Sequence, residues 1–285
     1  MKATFTLATR RSALALKQTG LVAAYLGRRW PDARFERLEL VTTGDRQQAW
    51  SLEARGGKGL FTGELEEALL RGEADAAVHS CKDLPTTLPD GLAIAGFLPR
   101  ERPNDVLVLR EGCSHPKSLA TGSPRRRAQA ARLFPEVEWK EIRGNVGTRL
   151  RKIAGGEADG TILAAAGLRR LGIEDSPGLE FRELEIEEMV PAPGQGAIAL
   201  ECRADLAGEL RSVLDTGTAV AVTAERAFLA ALGGGCHTAF GAHYRDGRLE
   251  IFHETTGYRK VDLPAAGAEE IEGAVREAIA DLGLM

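Results

Sequence analysis

The chain has 285 residues, of which 44% are hydrophobic, 27% charged and 5% aromatic, and its formal net charge is -4. That length exceeds one ordinary hydrophobic core and fits two or three domains. A net acidic chain with few aromatic rings argues against a nucleic-acid partner, and no run of about 18 apolar residues offers a membrane span.

The chain opens with a short strand, residues 5–9, followed by Ser12 as a helix cap and a helix in which Leu14, Leu21, Val22 and Tyr25 share a face. A second strand is predicted at 34–42, so the start reads as a βαβ unit. After a loop rich in glycine and charge (44–59), a helix carries Phe61, Leu65, Ala68 and Leu69 on one side, and 74–79 reads as a buried strand. A second alternating series has strands at 106–109, 118–121, 137–142 and 160–164. Its helices begin at the Ser123-Pro124 cap pair and at Val146, the latter running to Ala154. Residues 222–232 form a strong helix pattern closed by Gly233, Gly234 and Gly235, two strands flank an Asp246-Gly247 turn, and 268–282 reads as a last helix. Repeated β-α alternation predicts α/β sheets with helices on both faces, followed by a small α+β tail.

Arg10 and Arg11 break the N-terminal segment before an export signal forms, and the four cysteines show no CxxC spacing. The expectation is a cytoplasmic protein with reduced thiols and no metal site.

Ligands of open α/β sheets bind beyond the carboxyl ends of the strands, where helix N-termini offer free N–H groups. Arginines cluster at four such junctions: Arg10 and Arg11; Arg125 and Arg126 after Thr121-Gly122-Ser123; Arg143 and Arg149 around Gly144; and Arg169 and Arg170. Taken singly, each fits an exposed ion pair as well. As a set on an acidic chain they point to a ligand with several carboxylates or phosphates, and the absence of Walker A or GxGxxG patterns disfavours a nucleotide. Asp83, after the 74–79 strand, is either a turn cap or a carboxylate that stabilises positive charge during a reaction, with Lys82 beside it as an anion ligand. Cys236 follows three glycines, an unusual place for a structural thiol, and is either an inert cysteine or an attachment point. A non-catalytic anion-binding module would use the same arginines and need neither Asp83 nor Cys236.

The segments LATRRSALALKQ (7–18), GGKGLF (56–61), HSCKDLP (79–85), ATGSPRRRAQ (120–129), RGNVGTRLRK (143–152), ILAAAGLRRLG (162–172), PAPGQGAIALE (191–201) and AERAFLAALGGGC (224–236) closely resemble the porphobilinogen deaminase (hydroxymethylbilane synthase) family, in family order. The resemblance implies two periplasmic-binding-protein-like doubly wound domains, 1–99 with 194–214 and 100–193, plus a small α+β domain at 215–285. It implies a dipyrromethane cofactor on Cys236 through a thioether and Asp83 as the catalytic carboxylate. Lys82, Thr121, Ser123, Arg125, Arg126, Arg143, Gly144 and Arg149 would bind the cofactor. Arg10, Ser12, Gln18, Arg149 and Arg170 would meet the substrate, porphobilinogen. It further implies a monomeric enzyme, with segments near 100–104 and 216–218 as flexible linkers. The chain departs from the family pattern at Gly63, Pro124 and Ala239.

Overall fold

A computed structural model describes residues 2–46, 60–233, 239–263 and 268–281. Cα packing divides these into two units, one of residues 2–46, 60–101 and 197–220, the other of 102–196 and 221–281.

The first unit holds strands β1 (Thr4–Arg10), β2 (Arg34–Leu40), β3 (Ala76–Ser80), β4 (Leu92–Phe97) and β10 (Ile198–Arg203), in the spatial order β2-β1-β3-β10-β4. β1 runs parallel to both β2 and β3, whereas β10 is antiparallel to β3 and β4. Helix α1 (Ala13–Gly27) starts where Ser12 Oγ accepts from the Ala15 N–H at 3.3 Å, and α2 (Thr43–Arg46), α3 (Gly63–Leu70) and α7 (Ala207–Arg211) complete the unit's own helices. Phe5, Leu7, Val22, Leu26, Val78 and Leu200 are buried together on one side of the sheet. Ala8, Leu65, Leu69 and Ala77 fill the other side, so β1 and β3 are covered on both faces.

The second unit repeats this plan with β5 (Asp105–Arg110), β6 (Ser118–Ala120), β7 (Glu138–Lys140), β8 (Gly160–Ala164) and β9 (Leu179–Glu183), ordered β7-β6-β8-β5-β9. β6 is parallel to β7 and β8, and β5 is the antiparallel member. Its helices are α4 (Pro124–Leu133), α5 (Val146–Ala154) and α6 (Ala165–Arg170). A third sheet, β11 (Phe240–Arg245), β12 (Arg248–His253) and β13 (Gly257–Asp262), is an antiparallel meander whose β11–β12 turn places Asp246 at φ 52 and Gly247 at φ 77. It packs through Ala239 and Phe252 onto Val190 of the second unit. Helices α8 (Thr216–Ala231) and α9 (Ala268–Asp281) flank it in sequence.

The α/β class and the doubly wound plan match the expectation. Three local readings are corrected. Leu21 is 39% exposed while Gln18 and Thr19 are buried, because the face of α1 is set by polar side chains with partners: Gln18 Nε2 donates to Ser80 Oγ at 2.9 Å, and Thr19 Oγ1 donates to the Ala15 carbonyl at 2.9 Å. Residues 216–218 are the first turn of α8, fastened by Thr218 Oγ1, which accepts the Arg100 N–H at 3.0 Å. The strand read at 34–42 ends at Leu40, where α2 follows.

Candidate active site

In the first unit, parallel β1 and β3 end on the same edge of the sheet, and a cavity of about 70 Å³ opens there. Arg10, Ser12, Gln18, Phe61, Thr62, His79, Ser80 and Asp83 line it. Four residues singled out from sequence thus come together: Arg10 ends β1, Ser12 caps α1, Gln18 stands two turns further on, and Asp83 ends a single 3-10 turn (Cys81–Asp83) that continues β3. Lys82 and Asp83 are both exposed.

Arg10 is held from two sides. Its guanidinium donates to Asp45 through Nε at 3.2 Å and Nη2 at 2.5 Å, and its Cζ lies 4.3 Å from the centre of the Phe61 ring. Burial alone would raise the Asp45 carboxyl, but hydrogen bonds from Arg10 and Thr42 and the charge of Arg10 hold it below the usual carboxylate value.

In the second unit, the ends of β6, β7 and β8 lead into the other arginine segments. Thr121 is buried, and its Oγ1 accepts the Ser123 N–H at 3.1 Å. Ser123 caps α4 with Pro124 following, as the sequence implies. The Arg143 guanidinium packs against Gly122 of this turn, since a Cβ on Gly122 would lie 3.5 Å from its Cζ. Gly144 has φ +112, a Cβ there would stand 2.7 Å from Thr148 Cγ2, and its carbonyl accepts from Arg149 Nε at 2.8 Å. Thr121, Ser123, Arg143, Gly144 and Arg149 therefore belong to neighbouring turns at these strand ends, where Glu141 Oε2 also lies 3.7 Å from Arg143 Nη2. Arg170 lies in the same unit and donates to the Gly196 carbonyl at 2.5 Å.

Arg125 and Arg126 are placed differently. Both are buried and turn onto Asp105, which is fully buried. Arg125 Nη2 reaches Asp105 Oδ2 at 2.7 Å and its Nη1 the Val190 carbonyl at 2.6 Å; Arg126 Nη2 reaches Asp105 Oδ1 at 2.7 Å. Two guanidinium groups against one carboxylate leave one net positive charge near the start of α4. Burial pulls the Arg125 pKa below its ordinary value, against the attraction of Asp105.

Sequence reasoning did not single out Asp105, Asp45 or Gln195, whose Nε2 donates to Asp105 Oδ1 at 3.0 Å. Nothing in their local sequence marks them; their partners are distant along the chain. Phe61 was read as a helix-face residue and instead stacks under Arg10. Cys236 lies outside the described residues.

Residues 5–209 match the family model described as "Porphobilinogen deaminase, dipyromethane cofactor binding domain", and residues 219–252 match "Porphobilinogen deaminase, C-terminal domain". The chain belongs to the porphobilinogen deaminase family. The porphobilinogen deaminase of Nitrobacter hamburgensis is 46% identical over 250 residues, covering 84% of this chain and 78% of that one. That of Syntrophus aciditrophicus is 43% identical over 285 residues, covering 97% and 92%. Among solved structures, the periplasmic VFT2 domain of Bordetella pertussis BvgS aligns with a TM-score of 0.46 at 17% identity, over 74% of this chain and 86% of that one. Family membership makes the chain a hydroxymethylbilane synthase, a transferase of porphyrin and heme biosynthesis that works with a dipyrromethane cofactor. No described helix is long and apolar enough to cross a membrane.

Proposed function

We propose that this enzyme deaminates porphobilinogen and joins four such units head to tail on a dipyrromethane carried by Cys236 through a thioether, then releases hydroxymethylbilane by hydrolysis. The observation that carries the residue assignment is the first unit's cavity, in which one carboxylate, Asp83, stands with Arg10, Ser12 and Gln18. Asp83 is the catalytic residue: it accepts hydrogen bonds from pyrrole N–H groups and stabilises the cation left when ammonia departs. Arg10, Ser12, Gln18, Arg149 and Arg170 bind the carboxylates of incoming porphobilinogen.

The donor set of the second unit fits the cofactor's chemistry. Hydroxyls and guanidinium groups stand on neighbouring turns, and the bare Cα of Gly122 lets the Arg143 guanidinium lie against the turn. Thr121, Ser123, Arg143, Gly144 and Arg149 would hold the cofactor carboxylates, and Lys82 is proposed as a further cofactor ligand. Arg125 and Arg126 contribute the net positive charge left over from Asp105. When bound, the dipyrromethane supplies the free pyrrole carbon at which growth starts. Two carboxylates about 4 Å apart repel by roughly 4 kcal/mol at an effective dielectric of 20, so each added ring calls for nearby cations. Cys81 and Cys202 are buried, and burial pushes the Cys202 thiol up to about 11, which leaves neither suited to carry the cofactor.

We further place the enzyme in the cytoplasm, as a monomer with no nucleic-acid or membrane partner, and treat 1–99 with 194–214, 100–193 and 215–285 as its three domains. Intact mass spectrometry tests the central assignment. The purified enzyme should carry a two-pyrrole adduct that Cys236→Ser abolishes, and an active enzyme of unmodified mass would refute it.

A further inference from the structure

Behind the Asp83 cavity lie three ionisable side chains to which the proposed chemistry gives no task. His79, near the end of β3, lines the cavity, yet its side chain is only 4% exposed. Its Nε2 stands 3.0 Å from Oε2 of Glu201, a β10 residue with 0% exposure. Glu66 on α3 is 8% exposed. Neither Glu201 oxygen, nor Glu66 Oε1, nor His79 Nε2 has a hydrogen bond of good geometry. Leaving such atoms unsatisfied costs about 1–3 kcal/mol each, and more where charge is involved.

Charge counting limits what the cluster can be. Among the described residues no group of three or more His, Cys, Asp or Glu is arranged to hold a metal ion. Glu201 faces the imidazole directly at 3.0 Å, and Glu66 lies close enough to feel the charge of both. A second ionised carboxylate with no counter-charge in this interior would carry a desolvation penalty of several kcal/mol, so the group retains a proton. Consistently, the Glu66 carboxyl is raised above its usual value, by burial first and also by the nearby charge of Glu201. Asp83 and Arg10 line the same cavity as His79.

We propose that Glu66, Glu201 and His79 form a buried proton store for the Asp83 cavity, with Glu201 and Glu66 as positioning residues that act through the imidazole. This rests on the function proposed above. In each condensation the C–N bond of the aminomethyl group breaks and its electron pair leaves with ammonia. A ring carbon forms the new C–C bond and sheds its proton, the C–H pair restoring the ring. Ammonia takes up one proton and departs as ammonium, and the proton that the ring carbon sheds later replaces it, so protons balance over the cycle. Between those two events the protein is one proton short, and Asp83 is then occupied by pyrrole N–H groups. His79 lends the proton and takes back the one from the ring.

The test uses Glu201→Gln, His79→Gln and Glu66→Gln in the cofactor-loaded enzyme, with loading checked by intact mass and fold by circular dichroism. Glu201→Gln and His79→Gln should stay loaded, keep KM and lose kcat by about tenfold or more. Glu66→Gln removes a carboxylate whose charge favours the imidazolium and should move the alkaline limb of the kcat profile to lower pH. Loaded Glu201→Gln with kcat and pH profile within about twofold of the parent overturns the proposal. Where that variant fails to fold, ¹⁵N titration of the His79 imidazole in the unaltered enzyme decides. A protonation change that tracks the activity profile between about pH 6 and pH 9 supports the store, and an imidazole fixed in one state across that range overturns it. An unaltered enzyme lacking the two-pyrrole adduct would instead defeat the underlying function.

Discussion

Replacing Asp105 by asparagine should unfold the second unit far more readily, at almost no change in volume. In the native structure the Asp105 carboxylate accepts from Arg125 Nη2 at 2.7 Å, Arg126 Nη2 at 2.7 Å, Arg126 Nε at 3.2 Å and Gln195 Nε2 at 3.0 Å. The carboxylate is fully buried and both arginine side chains are at least 92% buried. Asparagine keeps one acceptor oxygen, presents an NH2 group to cations, and leaves two buried guanidinium charges without a counter-ion. Breaking a buried pair by deleting one partner costs about 3–5 kcal/mol. With a urea dependence of roughly 2–3 kcal/mol per molar, the unfolding midpoint should fall by about 1–2 M. Urea titration followed by tryptophan fluorescence measures it, and Asp105→Asn with Arg126→Met should recover part of the loss by removing one stranded cation. A loss below about 1 kcal/mol in the single variant would show that the two arginines are solvated or neutralised by other groups, and the charge count given for this site would be wrong.

Asp83→Ala should fold normally by circular dichroism yet lose turnover by about 100-fold or more, measured as hydroxymethylbilane formation; near-normal turnover contradicts its catalytic role. Gly144→Ala puts a Cβ 2.7 Å from Thr148 Cγ2 at φ +112 and should destabilise by about 1–3 kcal/mol, read from the thermal midpoint. Asp159 is held down to about 2, chiefly by its bond to Arg110, so its stabilising effect is present above the ordinary carboxylate value and fades as pH falls through about 2. Urea midpoints of the parent and Asp159→Asn should therefore differ at neutral pH and converge toward pH of about 2; a constant gap would place the stabilisation elsewhere.

How much the sequence disclosed depended on whether the cause of each feature was local. Helix α5 was read to its observed ends because Asn145 Oδ1 accepts the Thr148 N–H at 2.9 Å and Gly155 closes the helix, both within a turn. Strand β8 was also found to the residue, as a buried run between glycine and a helix start. β4, an apolar LAIAGF run without alternation, was missed, as was β13, whose GYRKVD pattern is largely solvent-facing. At the cavity, junction position brought Arg10 and Asp83 to notice and capping chemistry Ser12, while Gln18 came only with the resemblance. Asp45 and Asp105 stayed hidden because they matter through arginines 35, 20 and 21 residues away, and one carboxylate in a string of letters looks like any other.

The place of β10 between β3 and β4 in the first sheet has a consequence for synthesis on the ribosome. β3 and β4 have no bond to each other in that sheet; both pair with a strand whose residues, 198–203, are translated about a hundred positions after β4. The second sheet needs only residues 105–183 and has all its strands in hand earlier. The domain translated first should thus be the later to reach its native pairing, its β3 and β4 edges waiting for a partner while the neighbouring sheet closes. During that interval those edges are open to foreign strands, so nascent-chain truncations between about 185 and 197 should be the ones most prone to aggregate.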